Sequence, residues 1–349
     1  MKVMSILRKF FTPNSSDDRK HGRHAPVLLC VLLLLMVVFF FAALCFGSTS
    51  IDLVAAIKEV FSGKSDSPDA RILLYLRLPR ALGAVFAGAA LAVAGVMIQG
   101  VLHNPMAAPN IIGVNSGAGL GAVLMLSALP SAVAFLPVAA FFGAILACLC
   151  IYAIASRTGG SRMTVILVGI AVSSVLSAGI NTLKTLYPDS VYDADAFMIG
   201  GLSGITFIRL LPAAGLILLA LILSLLFARE ADVLSLGDDT AKSLGMNVKR
   251  IRLILLSLAS VLAGAAVSFA GLLGFVGLVV PHICRFFVGQ NHRLLIPASA
   301  LGGAVLVLVC DLLCRLIFAP YELPVGILLS FVGAPFFILL ILTGRKRHD

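Results

Sequence analysis

Ala25-Pro-Val-Leu-Leu-Cys-Val-Leu-Leu-Leu-Leu-Met-Val-Val-Phe-Phe-Phe-Ala-Ala-Leu-Cys-Phe-Gly47 runs for 23 residues without a charge. A helix needs roughly 20 apolar residues to cross the ~30 Å hydrocarbon layer of a bilayer. Before this run stand Lys2, Arg8, Lys9, Arg19, Lys20 and Arg23. A secretory signal has a shorter apolar core and a small-residue cleavage site. The stretch therefore reads as a retained first helix behind a basic leader, residues 1–24.

The rest of the chain has the same character. Hydrophobic residues make up 60% of the 349 and charged residues 12%, where a soluble domain carries about 25% charged. Most of the surface must face lipid. No polar stretch is long enough for a soluble domain, so residues 25–349 read as one all-α transmembrane domain. Apolar runs predict helices near 26–47, 72–102, 112–128, 133–156, 163–186, 210–227, 251–271, 281–290, 294–316 and 325–343. The eighth is too short to span by itself.

With the N-terminus inside, the inner segments hold 18 of the 26 lysines and arginines and the outer segments eight. That is the positive-inside bias, and it puts both termini in the cytoplasm. The basic residues follow membrane faces, so the net charge of +10 points to the bilayer and not to nucleic acid. Of 16 acids only Asp311 falls inside a predicted span. Ion-coupled carriers keep acids in mid-membrane as relays or ligands, so the energy for any transport is expected from elsewhere. A secondary carrier is the rival class, and an intramembrane enzyme a third. The third needs a buried nucleophile or metal cluster, and His282 stands alone.

An internal echo supports a transporter. Ala87-Gly-Ala-Ala-Leu-Ala-Val-Ala-Gly95 matches Ala263-Gly-Ala-Ala-Val-Ser-Phe-Ala-Gly271 at six of nine positions, and Pro105 and Pro281 follow each copy by ten residues. The topology sends the two copies in opposite directions, as an inverted repeat requires.

Several motifs carry no chemistry. Gly113-Val-Asn-Ser-Gly117 and Gly200-Gly-Leu-Ser-Gly204 have the small-xxx-small spacing of close helix packing. Gly117-Ala-Gly-Leu-Gly-Ala122 lacks the preceding strand and following acid of a dinucleotide site. Gly63-Lys-Ser65 resembles the end of a phosphate loop, but Lys58 stands where its first glycine belongs. The chain cannot hydrolyse ATP by that route; if ATP drives it, another subunit must bind the nucleotide and its Mg. The seven cysteines form no CxxC pair and read as packing residues. No metal site is expected.

Three stretches are more specific. Arg77-Leu-Pro-Arg80 stands on the outer side, with Arg315 at the same face. It reads either as a docking pad for acidic groups of an outside partner or as arginines snorkelling to lipid phosphates. Arg315 has a rival role as an i, i+4 partner of Asp311. In the inner loop, Leu234 and Leu236 precede Gly237, Asp238 or Asp239 is placed to cap a short helix, and Gly245 closes it after Leu244. Two short helices about a glycine turn predict a partner-binding knob within 228–250. Finally, Gly271, Gly274, Gly277 and Pro281 interrupt one short stretch, which predicts broken helix beside protein or a water-filled cavity. His282 reads as a packing or hydrogen-bonding residue near Arg285.

Together these stretches resemble the permease subunits of ABC importers for ferric siderophores, haem and cobalamin. The resemblance rests on Arg77-Leu-Pro-Arg80, Asn104-Pro105-Met-Ala-Ala-Pro109 with Gly113 and Gly117-Ala118, Leu236-Gly237 and Leu244-Gly245. It continues in Gly274-Phe-Val-Gly277-Leu-Val-Val-Pro281-His282 with Arg285, His292-Arg293, Asp311 with Arg315, Glu322-Leu-Pro324-Val-Gly326 and Gly333-Ala-Pro-Phe336. It runs from about residue 70 to the C-terminus. Departures at Met106, Ala108, Asn291 and Asp238 touch loop contacts only.

The resemblance implies a ten-helix permease of the type II importer fold in the cytoplasmic membrane. It would pair with a second permease copy or paralogue, with two ATPase subunits below and a substrate-binding protein above. By that likeness Arg77, Arg80 and Arg315 meet acids on the binding protein, and Leu234–Gly245 enters a cleft of the ATPase. The fifth and tenth helices line the passage, with Gly160-Ser161 at the inner constriction. A ferric siderophore is the expected cargo, with haem or cobalamin as alternatives.

Overall fold

The computed structural model describes residues 18–61, 67–157, 162–188 and 191–344. The leader up to residue 17, Gly63-Lys-Ser65 and the expected gate Gly160-Ser161 lie outside them. The helices are α1 (Asp18–Cys45), α2 (Leu53–Phe61), α3 (Pro68–Leu102), α4 (Val114–Ala128), α5 (Leu136–Arg157), α6 (Arg162–Leu186) and α7 (Val191–Ile199). They continue as α8 (Phe207–Leu226), α9 (Ala228–Ser235), α10 (Asp238–Ser243), α11 (Val248–Ala270), α12 (Val276–Val288), α13 (His292–Ile317) and α14 (Val325–Gly344). Among the described residues seven helices are long and apolar enough to cross a membrane, and α4, α12 and α14 are shorter apolar helices. Each predicted span overlaps one of these ten.

The layout follows from side-chain size. α3 is rich in Ala and Gly, and it packs against α8, α11, α12 and α13. Its apolar window is 83% buried, against 6% for α1. A Cβ on Gly95 would overlap the carbonyl of Gly277 in α12, and one on Gly88 the carbonyl of Gly303 in α13. Helix association in lipid relies on such backbone approach, since lipid tails are as apolar as leucine. α5 bridges α11 to α4, α6 packs on α4, and α1 lies against α13.

Two local features depart from the predicted spans. After one α-helical turn, Pro68–Arg71, α3 widens into a π-helical turn, Ile72–Arg77, and the Leu78 amide donates to the Leu73 carbonyl. The wide turn sits just before Pro79, which has no N–H and would crowd the carbonyl four residues back. The break expected across 271–282 is confined to the first residues: Phe275 is left-handed with φ 65°, and α12 then runs through Pro281. The predicted start at 281 is thus corrected to Val276. Pro281 strands the Gly277 carbonyl, and Gln99 Nε2 of α3 donates to it at 3.2 Å. Gln99 Oε1 in turn accepts from Arg285 Nη1 at 2.6 Å. A buried carbonyl in an apolar bundle needs such a partner.

The two copies of the echo lie on α3 and α11, which pack together and run in opposite directions. α3 begins beside the Glu322 loop and ends beside α9. α11 begins beside α10 and ends beside residues 200–201, next to the start of α14. Their local structures differ, because α3 continues seven residues past Gly95 whereas α11 stops before Gly271, φ +67°.

Candidate functional site

At one end of the bundle, called here the arginine end, the three predicted arginines turn inward. Arg77 Nη1 donates to the carbonyls of Leu44 and Cys45, both at 2.7 Å, and its Nη2 to that of Thr49 at 2.5 Å. The Leu44 and Cys45 carbonyls are orphan acceptors of the α1 C-terminus, where cationic donors are favourable, and Thr49 lies in the turn that follows. Arg315 Nη1 donates to the carbonyls of Ala43 at 3.2 Å and Phe46 at 3.4 Å, and its Nε lies 3.1 Å from Asp311 Oδ2. Arg80 binds Asp311 through Nε and Nη2 at 2.9 Å, and its Nη1 reaches Glu322 Oε2 at 2.5 Å. Ser48 Oγ donates to the other Glu322 oxygen at 2.7 Å.

An open pad of three guanidiniums is therefore not what the chain presents. Arg77, Asp311 and Arg315 are each under 5% exposed, and only Arg80 and Glu322 reach the rim. The physical reason is the unfilled carbonyls of α1, which no spacing rule reveals. The rival role of Arg315, the i, i+4 pair with Asp311, is present. Glu322 lies outside the helices. Burial works against its ionisation, and hydrogen bonds from Arg80 and Ser48 outweigh this, holding the carboxyl below its usual range.

At the opposite end, α9 and α10 form the knob. Leu234 is fully buried and anchors it, while Leu236 and Leu244 are 62% and 64% exposed. Gly237 turns the chain with φ +110°, and Gly245 closes α10 with φ +81°. The Gly245 amide donates to Lys242 at 2.9 Å and the Met246 amide to Ala241 at 3.0 Å, the paired bonds of a Schellman stop. Neither Asp238 nor Asp239 caps α10. Gly237 holds the N-cap position and both acids lie in the first turn, where they suit the helix dipole. Asp238 is drawn aside by Arg252 Nη2 of α11, at 2.7 and 2.8 Å.

Four further residues fasten the knob and the core, and of these sequence reasoning named only His292, as a motif residue. His103 Nε2 lies 2.6 Å from the Leu234 carbonyl. His292 donates its backbone amide to Asp232 Oδ1 at 2.9 Å, with Nδ1 2.6 Å from the same oxygen. Gln99 was findable as the one strongly polar residue between Arg80 and His103. His103 and Asp232 gave no comparable signal, because their partners are distant in sequence, and the motif that contains His292 did not reveal its partner Asp232.

The remaining motif residues shape turns. Asn104 Oδ1 accepts from the Met106 amide at 2.9 Å, and Pro105 follows in the same turn. The Gly274 carbonyl accepts from Val276 at 2.8 Å, that of Pro324 from Ile327 at 3.1 Å, and the Gly326 amide donates to Gly200 at 3.2 Å. His282 meets the Phe336 ring edge-on at 6.1 Å between centroids, a packing contact.

A bundle with seven helices long and apolar enough to cross a membrane, a buried ionic cluster at one end and a compact knob at the other has the build of a multi-pass membrane protein. Residues 34–343 match the FecCD transport family, and the chain belongs to it. It is 40% identical to the hemin transport system permease protein HmuU of Yersinia pestis, over 80% of this chain and 85% of that one. It is 43% identical to the Fe(3+) dicitrate transport system permease protein FecD of Escherichia coli, over 78% and 86%. It is also 41% identical to the cobalamin import system permease protein BtuC of Halobacterium salinarum, over 76% and 72%. A solved inward-facing ABC transporter of metal-chelate type superposes with a TM-score of 0.79 at 29% identity, covering 91% of this chain and 99% of that one.

Proposed function

We propose that this chain is the membrane-crossing subunit of an ATP-driven importer that carries a ferric siderophore into the cytoplasm. Haem or cobalamin is the alternative cargo within the family. The observation that carries the energy source is Asp311. Among the described residues it is the sole acid in the seven stretches long and apolar enough to cross a membrane, apart from Asp69 in the first turn of α3, and Arg80 and Arg315 neutralise it. Those stretches therefore offer no unpaired mid-membrane carboxylate for a coupling proton or sodium ion. The chain performs no covalent chemistry; ATP and Mg are held by two partner ATPases, and a second permease copy or paralogue completes the passage.

The knob is the ATPase contact in this reading. Leu236 and Leu244 present apolar surface to the water below the membrane, about a rigid turn, which is what a groove on a partner takes up. Both chain termini lie on this cytoplasmic side. The binding protein docks at the arginine end, where an acidic group exchanges with Glu322 on the free edge of Arg80. Glu322→Gln weakens the internal competitor, so capture of the binding protein by the detergent-solubilised complex should tighten several-fold. Unchanged or weaker capture would remove Arg80 from the docking surface.

Uptake decides the cargo. Cells that depend on this chain are offered 55Fe-labelled ferric citrate, a 55Fe-labelled ferric hydroxamate, haemin or cyanocobalamin. Iron from one of the two ferric chelates should enter, continue after an uncoupler is added at constant ATP, and stop when ATP is depleted. Uptake of haemin or cobalamin alone would move the assignment to those cargoes. Collapse with the uncoupler at constant ATP would favour the secondary carrier.

A further inference from the structure

α2 has an apolar face wider than the protein covers. Asp52 caps the helix, its Oδ1 accepting from the Val54 and Ala55 amides at 3.1 and 3.0 Å. At about 100° per residue, apolar positions follow one another around the axis as Ala56, Val60, Leu53, Ile57 and Val54. Lys58, Ala55 and Glu59 take the remaining side. The bundle covers only half of the apolar arc. Ala56 is fully buried, Val60 and Leu53 are half-buried, and Ile57 and Val54 are 40% and 63% exposed.

The helix is fixed in that posture. The Asp52 amide donates to Asp69 Oδ2 at 3.1 Å, the Ser67 amide to Glu59 Oε1 at 3.0 Å, and Ser67 Oγ also donates to Glu59. Both ends of α2 are thus tied to the first turn of α3. Past that turn Tyr75 and Leu76 are exposed, and so is Phe46, one residue beyond α1. The bare face of α2 therefore continues a border of aromatic and aliphatic side chains that begins at α1, the most lipid-exposed span. The nine residues of α2 cover about 13 Å, too little to cross a bilayer. A short helix that is apolar along one side only is stable where water meets hydrocarbon.

We infer that α2 is an in-plane anchor whose Val54–Ile57 face is seated in the leaflet at the arginine end, with phospholipid as its partner. A binding protein that docks and departs would abandon this apolar face to water between visits, whereas lipid is always present. The seat bears on the charged cluster, because the residues between α1 and α2 carry two of its contacts. Thr49 gives its carbonyl to Arg77, and Ser48 Oγ donates to Glu322. With α1 at one end and α2 at the other held by lipid, that segment stays drawn across the cluster. The inference goes beyond the importer reading and holds for any cargo.

The chain contains no tryptophan, so a single introduced one reports alone. The full chain, as Val54→Trp, Ile57→Trp or Ala55→Trp, is reconstituted in phosphatidylcholine liposomes. Quenching is read with lipid brominated near the headgroup end of its acyl chains, and with iodide present on both sides. The Val54→Trp and Ile57→Trp forms should be quenched at least several-fold more strongly by the brominated lipid than the Ala55→Trp form, which iodide should quench instead. Equal iodide quenching of all three would return α2 to water and overturn the anchor. Shielding of the first two from both quenchers would place a second copy of the chain on this face, and would overturn it as well. In a separate measurement, Val54→Asp with Ile57→Asp should raise hydrogen exchange of the amides in 46–60 at least several-fold. Unchanged exchange there would show that lipid does not hold the segment. Neither readout requires transport, so the importer reading stands or fails by the uptake assay alone.

Discussion

Asp311→Asn is expected to remove most of the protein from the membrane fraction. The cluster at the arginine end sets Arg80 and Arg315 against Asp311 and Glu322, so its charges cancel. The substitution keeps the shape and leaves one positive charge in excess, at a place where Asp311 and Arg315 are at most 3% exposed. Breaking a buried pair from one side costs about 3–5 kcal/mol, a large share of the roughly 5–15 kcal/mol that holds a domain together. Thermal unfolding in detergent should shift down by many degrees. Adding Arg80→Gln to Asp311→Asn removes the excess charge and should recover part of the loss. Equal melting of the single variant and the wild type would show that water reaches the cluster and screens it.

Gly237→Pro should leave the protein in the membrane and disconnect transport from ATP. Gly237 holds φ +110°, whereas proline fixes φ near −65°. The substitution also removes the N–H that donates a hydrogen bond to the Leu234 carbonyl at 3.1 Å. Nothing lies within 4 Å of a Cβ at this position, so the bundle itself is not disturbed. The turn between α9 and α10 must reopen, and Leu236 and Leu244 lose their relative placement. Chelate uptake should fall at least about tenfold, equivalent to about 1.4 kcal/mol of coupling, and substrate-stimulated ATP hydrolysis should fall with it. Normal stimulation by substrate in that variant would separate the knob from the ATPase contact.

The spans were readable because each is a local property: a run of apolar residues long enough for hydrocarbon is a helix wherever it packs. The knob was readable for a similar reason, since glycines at 237 and 245 punctuate a leucine-patterned stretch. The caps were not. Asp238 looked like an N-cap until Arg252, 14 residues on, drew its carboxylate away. Arg77 and Arg315 looked exposed because the carbonyls they satisfy belong to the end of α1 and the turn after it, 28 or more residues distant in the chain. The start of α12 was hidden for the same reason. Pro281 reads as a breaker unless Gln99, 178 residues from Gly277, supplies the missing donor. Short-range chemistry was legible, and partners brought together only by the fold were not.

α3 touches both ends of the molecule. Arg80, just past its π-helical turn, holds the charged cluster, and His103, one residue past its last turn, holds the knob through Leu234. At 1.5 Å per residue the 22 steps from Arg80 to Leu102 span about 33 Å. The helix is buried on nearly every side, so it cannot bend locally to absorb a push. A tilt imposed at one membrane face must arrive at the other as displacement, much as a piston rod carries a stroke. If the arginine end receives the binding protein and the knob the ATPase, as proposed, thermodynamics requires the traffic to run both ways: whatever docking outside does to the nucleotide site, the nucleotide must do in equal measure to docking.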